Sequence, residues 1–199
     1  METFKSSILA GLAISLGCTV FLSIGGLWGA VLFSFGLLTV VHYRLKLYTG
    51  TAGFTNDLKE LGLILVGNIV GCFITSLAIR YSSPTLCETA GIILGKRLSL
   101  DLVQGILLGA GCGFIMTTAV QFAREEKFLP LLFGVPLFIM CGFLHSIADA
   151  FYYLMAPLEL LKERWLDVIL IYLSIVLGNY VGCNIYRAVM NSSKKVEHN

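Results

Sequence analysis

Along this chain, uncharged apolar runs alternate with short charged clusters. Six of the runs reach the roughly 20 residues needed to cross a hydrocarbon core of about 30 Å. They lie at about 6–24, 26–43, 60–80, 102–123, 129–155 and 167–189. Two of them are interrupted. The fifth carries "CGFLHSIADAF" (141–151), a histidine and an aspartate four apart in a stretch otherwise uncharged from Phe128 to Pro157. The second runs into "RLKLYTGTAGFTN" (44–56), with two cations, Gly50, Gly53 and four threonine or asparagine side chains. Non-helical backbone at membrane depth survives only where protein buries it or where it lines a wet cavity. Both breaks are therefore expected to face one central path.

An internal repeat sharpens this picture. "LVGNIVGC" at 65–72 returns as "VLGNYVGC" at 176–183, an offset of 111 residues that puts one copy on the third span and the other on the sixth. A unit of three spans reverses its direction each time it is repeated. The pattern predicts an all-α membrane protein of six transmembrane helices in two inverted three-helix repeats, with the second and fifth helices broken. Residues 1–199 then form a single transmembrane domain, with repeat one at about 6–80 and repeat two at about 102–189. Gly67/Gly71 and Gly178/Gly182 each make a small-xxx-small face suited to close helix contact.

Composition agrees with a membrane protein: 57% of residues are hydrophobic, 13% are charged, and the mean hydropathy is +0.85. The net charge of +2 gives no reason to expect a nucleic-acid partner. Six cysteines stand singly, without CxxC spacing or a His-rich neighbour, and read as small apolar residues rather than as disulfides or metal ligands. Lys5 before the run Ile8–Ile24 resembles a signal-peptide start, but no convincing cleavage site follows Gly25–Gly26, so the run counts as a span. Residues 190–199 read as a solvated tail. Sorting cations by side gives nine with the termini (Lys5, Arg44, Lys46, Lys59, Arg124, Lys127, Arg187, Lys194, Lys195) against five opposite (Arg80, Lys96, Arg97, Lys162, Arg164). The excess predicts cytoplasmic N- and C-termini for a multi-pass protein of the plasma or inner membrane.

His145 is the central chemical candidate, because ionisable groups within a membrane usually serve function. An imidazole with an unperturbed pKa near ~6.5 is suited to exchanging a proton around neutrality. Asp149 lies one helical turn on. A carboxylate there favours the charged ring and desolvation the neutral one, and the sequence leaves both open. Arg44 and Lys46 read either as a solvated helix end with snorkelling stems or as a positive patch concentrating an anion at a pore mouth. Phe33, Phe35, Phe133, Phe138 and Phe143 read as core or lipid-facing unless placed on the path.

These segments resemble the formate/nitrite transporter family. The likeness runs from "SILAGLAISLG" (7–17) to "GNYVGC" (178–183), and "GFLHSIADAF" (142–151) is its most specific piece, similar to the family's GFEHSxANM. The resemblance implies an aquaporin-like fold, a homopentamer with one pore per protomer, and His145 as the central pore histidine. "LYTGT" (47–51) is similar to the family's LFTGN loop, so Tyr48 falls in that loop and Thr49 faces the histidine. Phe33 with Leu37, and Phe138, fall on the two constrictions. Lys127 matches a lysine opening the fifth span, and Lys96, in "GKRLSLDLVQGILLG" (95–109), an outer vestibule lysine. The chain departs from the pattern at Lys46, Thr51, Leu144, Asp149 and Gly109, where the family has an acid, an asparagine, a glutamate and two further asparagines.

The function expected on this basis is passage of a small monovalent anion of a weak acid, such as formate, nitrite or hydrosulfide. Lysines draw the anion in, but a bare ion crossing an apolar Phe/Leu ring loses its hydration at high cost. Protonation removes most of that barrier, and His145, oriented by Thr49, is expected to supply or relay the proton. Lys46 and Asp149 are expected to pair across the two breaks. The alternatives are a neutral small-solute channel, an intramembrane enzyme using His145 and Asp149 as acid and base, and a membrane subunit without transport. The enzyme reading lacks a nucleophile: Ser146 and His145 are helix neighbours pointing about 100° apart. No cofactor or metal is implied; the expected partners are the anion or its conjugate acid, the bilayer and further copies of the chain.

Overall fold

The structure, a computed structural model, describes the backbone of residues 1–196 and the side chains of 1–189. The expected tail at 190–199, with Lys194 and Lys195, lies outside the described side chains. Among the described residues the chain is all helical. Four helices are long and apolar enough to cross a membrane: α1 (Glu2–Ile24), α4 (Leu58–Ser82), α6 (Leu102–Arg124) and α10 (Trp165–Val196), the last over Trp165–Val189. They coincide with the expected first, third, fourth and sixth spans, and the protein is an integral membrane protein. The other two runs are built in pieces. α2 (Gly26–His42) is followed by the one-turn α3 (Tyr48–Thr51), and α7 (Leu129–Met140) by α8 (Ser146–Met155). Two further helices, α5 (Thr85–Leu98) and α9 (Leu158–Glu163), were not expected from the hydrophobic pattern.

Local chemistry explains where these elements begin and end. Asp57 caps α4 by accepting from the backbone N–H groups of Lys59 and Glu60 at 2.9 and 3.0 Å. Asp101 and Gln104 form a reciprocal capping box at the start of α6. α7 stops before Gly142, whose φ of +74° is open to glycine at little cost. Leu144 is fully buried, and His145 is extended, at φ −110° and ψ 113°, before α8 begins.

The repeated octapeptides explain how the helices pack. α1 lies along α4 and α6 along α10, with α2 against α7 between these pairs. A Cβ on Gly71 would collide with the Ile8 carbonyl oxygen, and one on Gly182 with that of Ala110. Only glycine permits these backbones to approach so closely, as small residues do in membrane helix seams.

The asparagine and cysteine of each octapeptide are buried and reach both breaks. Asn68 accepts from Tyr48 N–H at 2.9 Å and donates to Ser7 O and Lys46 O at 2.8 and 2.9 Å. Asn179 accepts from Ser146 N–H at 2.8 Å and donates to Gly109 O and Leu144 O at 2.9 and 2.7 Å. Each asparagine thus satisfies one donor and one acceptor stranded by a break, together with a carbonyl of a neighbouring long helix. The cysteines cross over. Cys72 Sγ donates to Ile147 O at 3.5 Å, and Cys183 Sγ to Thr49 O at 3.4 Å. Each of these asparagine and cysteine bonds of one octapeptide has a counterpart in the other.

Candidate functional site

The two breaks meet. Thr49 lies in α3 and His145 caps α8, and their side chains join through Oγ1 and Nε2 at 3.0 Å, with Thr49 fully buried and His145 3% exposed. The other ring nitrogen, Nδ1, accepts from the backbone N–H groups of Ile147 and Ala148 at 3.3 and 3.2 Å. Because Nδ1 is an acceptor here, this bond network assigns the proton of the neutral ring to Nε2. Nε2–H therefore donates to Thr49 Oγ1.

Aromatic rings complete the junction. Phe138 stacks on the His145 ring at 5.6 Å between centroids, and Phe33 meets Phe138 edge-on at 6.1 Å. Phe33, Leu37 and Phe138 are all buried. Phe35 and Phe133 are exposed on the outside of the helices.

A cavity opens at each end of α7, which at 12 residues is roughly 18 Å long. One, of about 480 Å³, is lined by Leu37, the Arg44–Leu47 segment, Gly50, Thr51, Arg124, Glu126 and Phe128, among others. The second, of about 240 Å³, is lined by Lys96, Arg97, Phe138, Phe143, His145 and Asp149, among others. Leu37 thus closes one cavity, Phe138 and His145 close the other, and Phe33 and Thr49 lie between.

The charged candidates are placed differently from the expectation. Lys46 does not pair with Asp149. Lys46 lines the larger cavity and bonds Glu60 at 3.3 Å, while Asp149 lines the smaller one and bonds Arg97 Nε at 2.9 Å. Phe33, Phe138 and the Thr49–His145 junction lie between them, so the two do not reach each other. Lys96 is exposed on the rim of the smaller cavity. Lys127 is exposed, pairs with Glu125 at 2.9 Å and lines neither cavity. Tyr48 is buried beside the junction, donating through its hydroxyl to Val176 O at 3.3 Å. Ser146 Oγ is buried and has no hydrogen-bond partner among the described residues, so no Ser–His dyad forms.

Three residues escaped the sequence reading. Asn68 and Asn179 were visible in both octapeptides, where the glycines drew attention. Arg97 was counted only as a charge on one side. The available signal was Asp149 itself, since a carboxylate inside a membrane needs a partner.

Comparisons with known proteins agree with this architecture. No curated protein matches the sequence. A pentameric formate channel solved with formate bound superposes with a TM-score of 0.84 at 20% identity, over 98% of this chain and 97% of that one. An ion channel of the formate/nitrite transporter family gives 0.81 at 18% identity, over 97% of this chain and 90% of that one. At these identities the likeness establishes the fold. The sequence profile described as "Formate/nitrite transporter" matches residues 1–192, which is nearly the whole chain, and the chain belongs to that family of membrane transporters.

Proposed function

We propose that this protein conducts small monovalent anions of weak acids through a pore in each protomer, with proton exchange at His145. The observation that carries the reading is the Thr49–His145 bond, which ties the two helix breaks together between the cavities. In this reading Leu37, Phe33 and Phe138 form the apolar barrier, and Lys46 and Lys96 supply positive charge to the two mouths. Lys127 attracts anions from the surface, and Asp149 and Tyr48 support the path. The matching contacts of the two octapeptides support two inverted three-helix repeats within a single domain. A homopentamer in the plasma or inner membrane, with both termini cytoplasmic, completes the proposal.

The junction dictates how a proton would move. Nδ1 accepts from two backbone donors, so the ring takes up a proton there only by giving up those bonds. Thr49 accepts from Nε2–H and keeps its own hydroxyl hydrogen for an arriving anion. Once a proton from the cavity is taken up at Nδ1 the ring is an imidazolium. The Thr49 hydroxyl hydrogen then passes to the anion as the Nε2 proton moves to Thr49, which leaves a neutral ring and a neutral acid. The weak acid then crosses the Phe33/Phe138 pair uncharged, which avoids the desolvation cost of a bare ion.

Flux into proteoliposomes for formate, nitrite, hydrosulfide, acetate, lactate and chloride, each at two pH values, tests this reading. Weak-acid anions should be carried faster at the lower pH and chloride poorly; equal rates for all at both pH values would sink it. One observation favours a second reading, a channel for neutral solutes only: the assigned ring is neutral and buried behind apolar side chains. Flux that follows undissociated acid alone, or light-scattering evidence of water passage without any anion response, would select that reading.

A further inference from the structure

We propose that Arg97, held by Asp149, is the docking residue for a small monocarboxylate at the smaller cavity; this rests on the transport reading above. A guanidinium carries five N–H donors in a planar fork. Arg97 uses one, Nε to Asp149 Oδ1 at 2.9 Å, and its side chain makes no other protein hydrogen bond among the described residues. Its side chain is 18% exposed and that of Asp149 2%, so the carboxylate lies behind the guanidinium. Both line the 240 Å³ cavity with Phe138 and His145. The free Nη edge is therefore available to a ligand.

Asp149 places that edge close to the chemistry. Its backbone N–H donates to His145 O at 2.8 Å, one turn along α8 from the imidazole. It fixes the plane of the guanidinium and cancels its net charge, so an anion is held by directed N–H bonds rather than in a deep charge well and can leave again. A planar carboxylate with two oxygens matches the fork, whereas a spherical ion such as chloride does not. Lys, a compact point charge, cannot reproduce the match.

The test measures uptake of tracer formate into proteoliposomes, with acetate or chloride as competitor, for the wild type, Arg97→Lys and the neutral pair Arg97→Gln/Asp149→Asn. In the wild type, acetate should compete at much lower concentration than chloride. In both variants the half-inhibitory concentration of acetate should rise about tenfold relative to that of chloride. An unchanged acetate-to-chloride ratio in variants that assemble normally would leave Arg97 and Asp149 as a structural pair and overturn the assignment. Equal competition by acetate and chloride in the wild type overturns it even if neither variant assembles. A wild type that carries no anion at all refutes the transport reading and this inference with it.

Discussion

Removing the Asn179 side chain is the most direct way to ask whether the octapeptides hold the breaks in place. Asn179→Ala deletes three buried hydrogen bonds, those to Ser146 N–H, Gly109 O and Leu144 O, at 2.7 to 2.9 Å. Side-chain hydrogen bonds in membrane proteins are worth about 0.6 kcal/mol on average and about 1.7 at most, which bounds the loss at about 2 to 5 kcal/mol. For a chain of this size each kcal/mol moves the melting temperature by about 2–4 °C, so a fall of at least about 4 °C is expected in detergent. Asn68→Ala removes the equivalent three bonds and should cost about as much. Asn179→Asp keeps the acceptor for Ser146 N–H but sets a carboxylate against two carbonyl oxygens, and should do no better than alanine. Thermal unfolding of the purified variants by intrinsic fluorescence is the assay. If Asn179→Ala melts within a degree of the wild type and keeps its flux, the anchoring argument is wrong.

Four further outcomes follow. Gly182→Ala puts a methyl group onto the Ala110 carbonyl and Gly71→Ala one onto that of Ile8, so each should destabilise the protein by about 1–3 kcal/mol, read as reduced yield and melting temperature. Asp149→Asn leaves Arg97 uncompensated; Arg97→Gln should restore much of the lost stability, whereas Lys46→Gln, which breaks a half-exposed pair worth about 1 kcal/mol or less, should not. Phe138→Ala removes the ring contacts to Phe33 and His145 and should raise ion leak while weakening the pH dependence of flux, measured by tracer uptake. Cys72→Ala and Cys183→Ala each lose thiol bonds to the opposite break and should lower the melting temperature less than the asparagine variants, since thiols are weak donors.

How far this structure could be read in advance depended on how local each signal was. The long spans were legible because a bilayer imposes their length and apolarity. The helix breaks were legible because glycines, hydroxyls and His145 are conspicuous in such surroundings. Helices α5 and α9 were missed: each is short and mixes Lys, Arg or Glu with its apolar residues, so a search for membrane spans passes over it. The Thr49–His145 contact came from resemblance, because residues 96 positions apart meet only through the fold. The Lys46–Asp149 expectation failed for the same reason. Two opposite charges on the two breaks invite pairing in one dimension, but the breaks present them to opposite cavities. Asp149 instead found Arg97 on α5, a helix that the hydrophobic pattern had not revealed.

The central claim is that a buried imidazole, fixed between two helix breaks, lets an anion cross as its neutral acid. Formate flux through His145→Phe compared with the wild type, at pH values on either side of ~6.5, tests it most directly. The account predicts that the wild type accelerates as pH falls and that an assembled His145→Phe protein loses most of that acceleration. An assembled variant with the wild-type pH profile would contradict it.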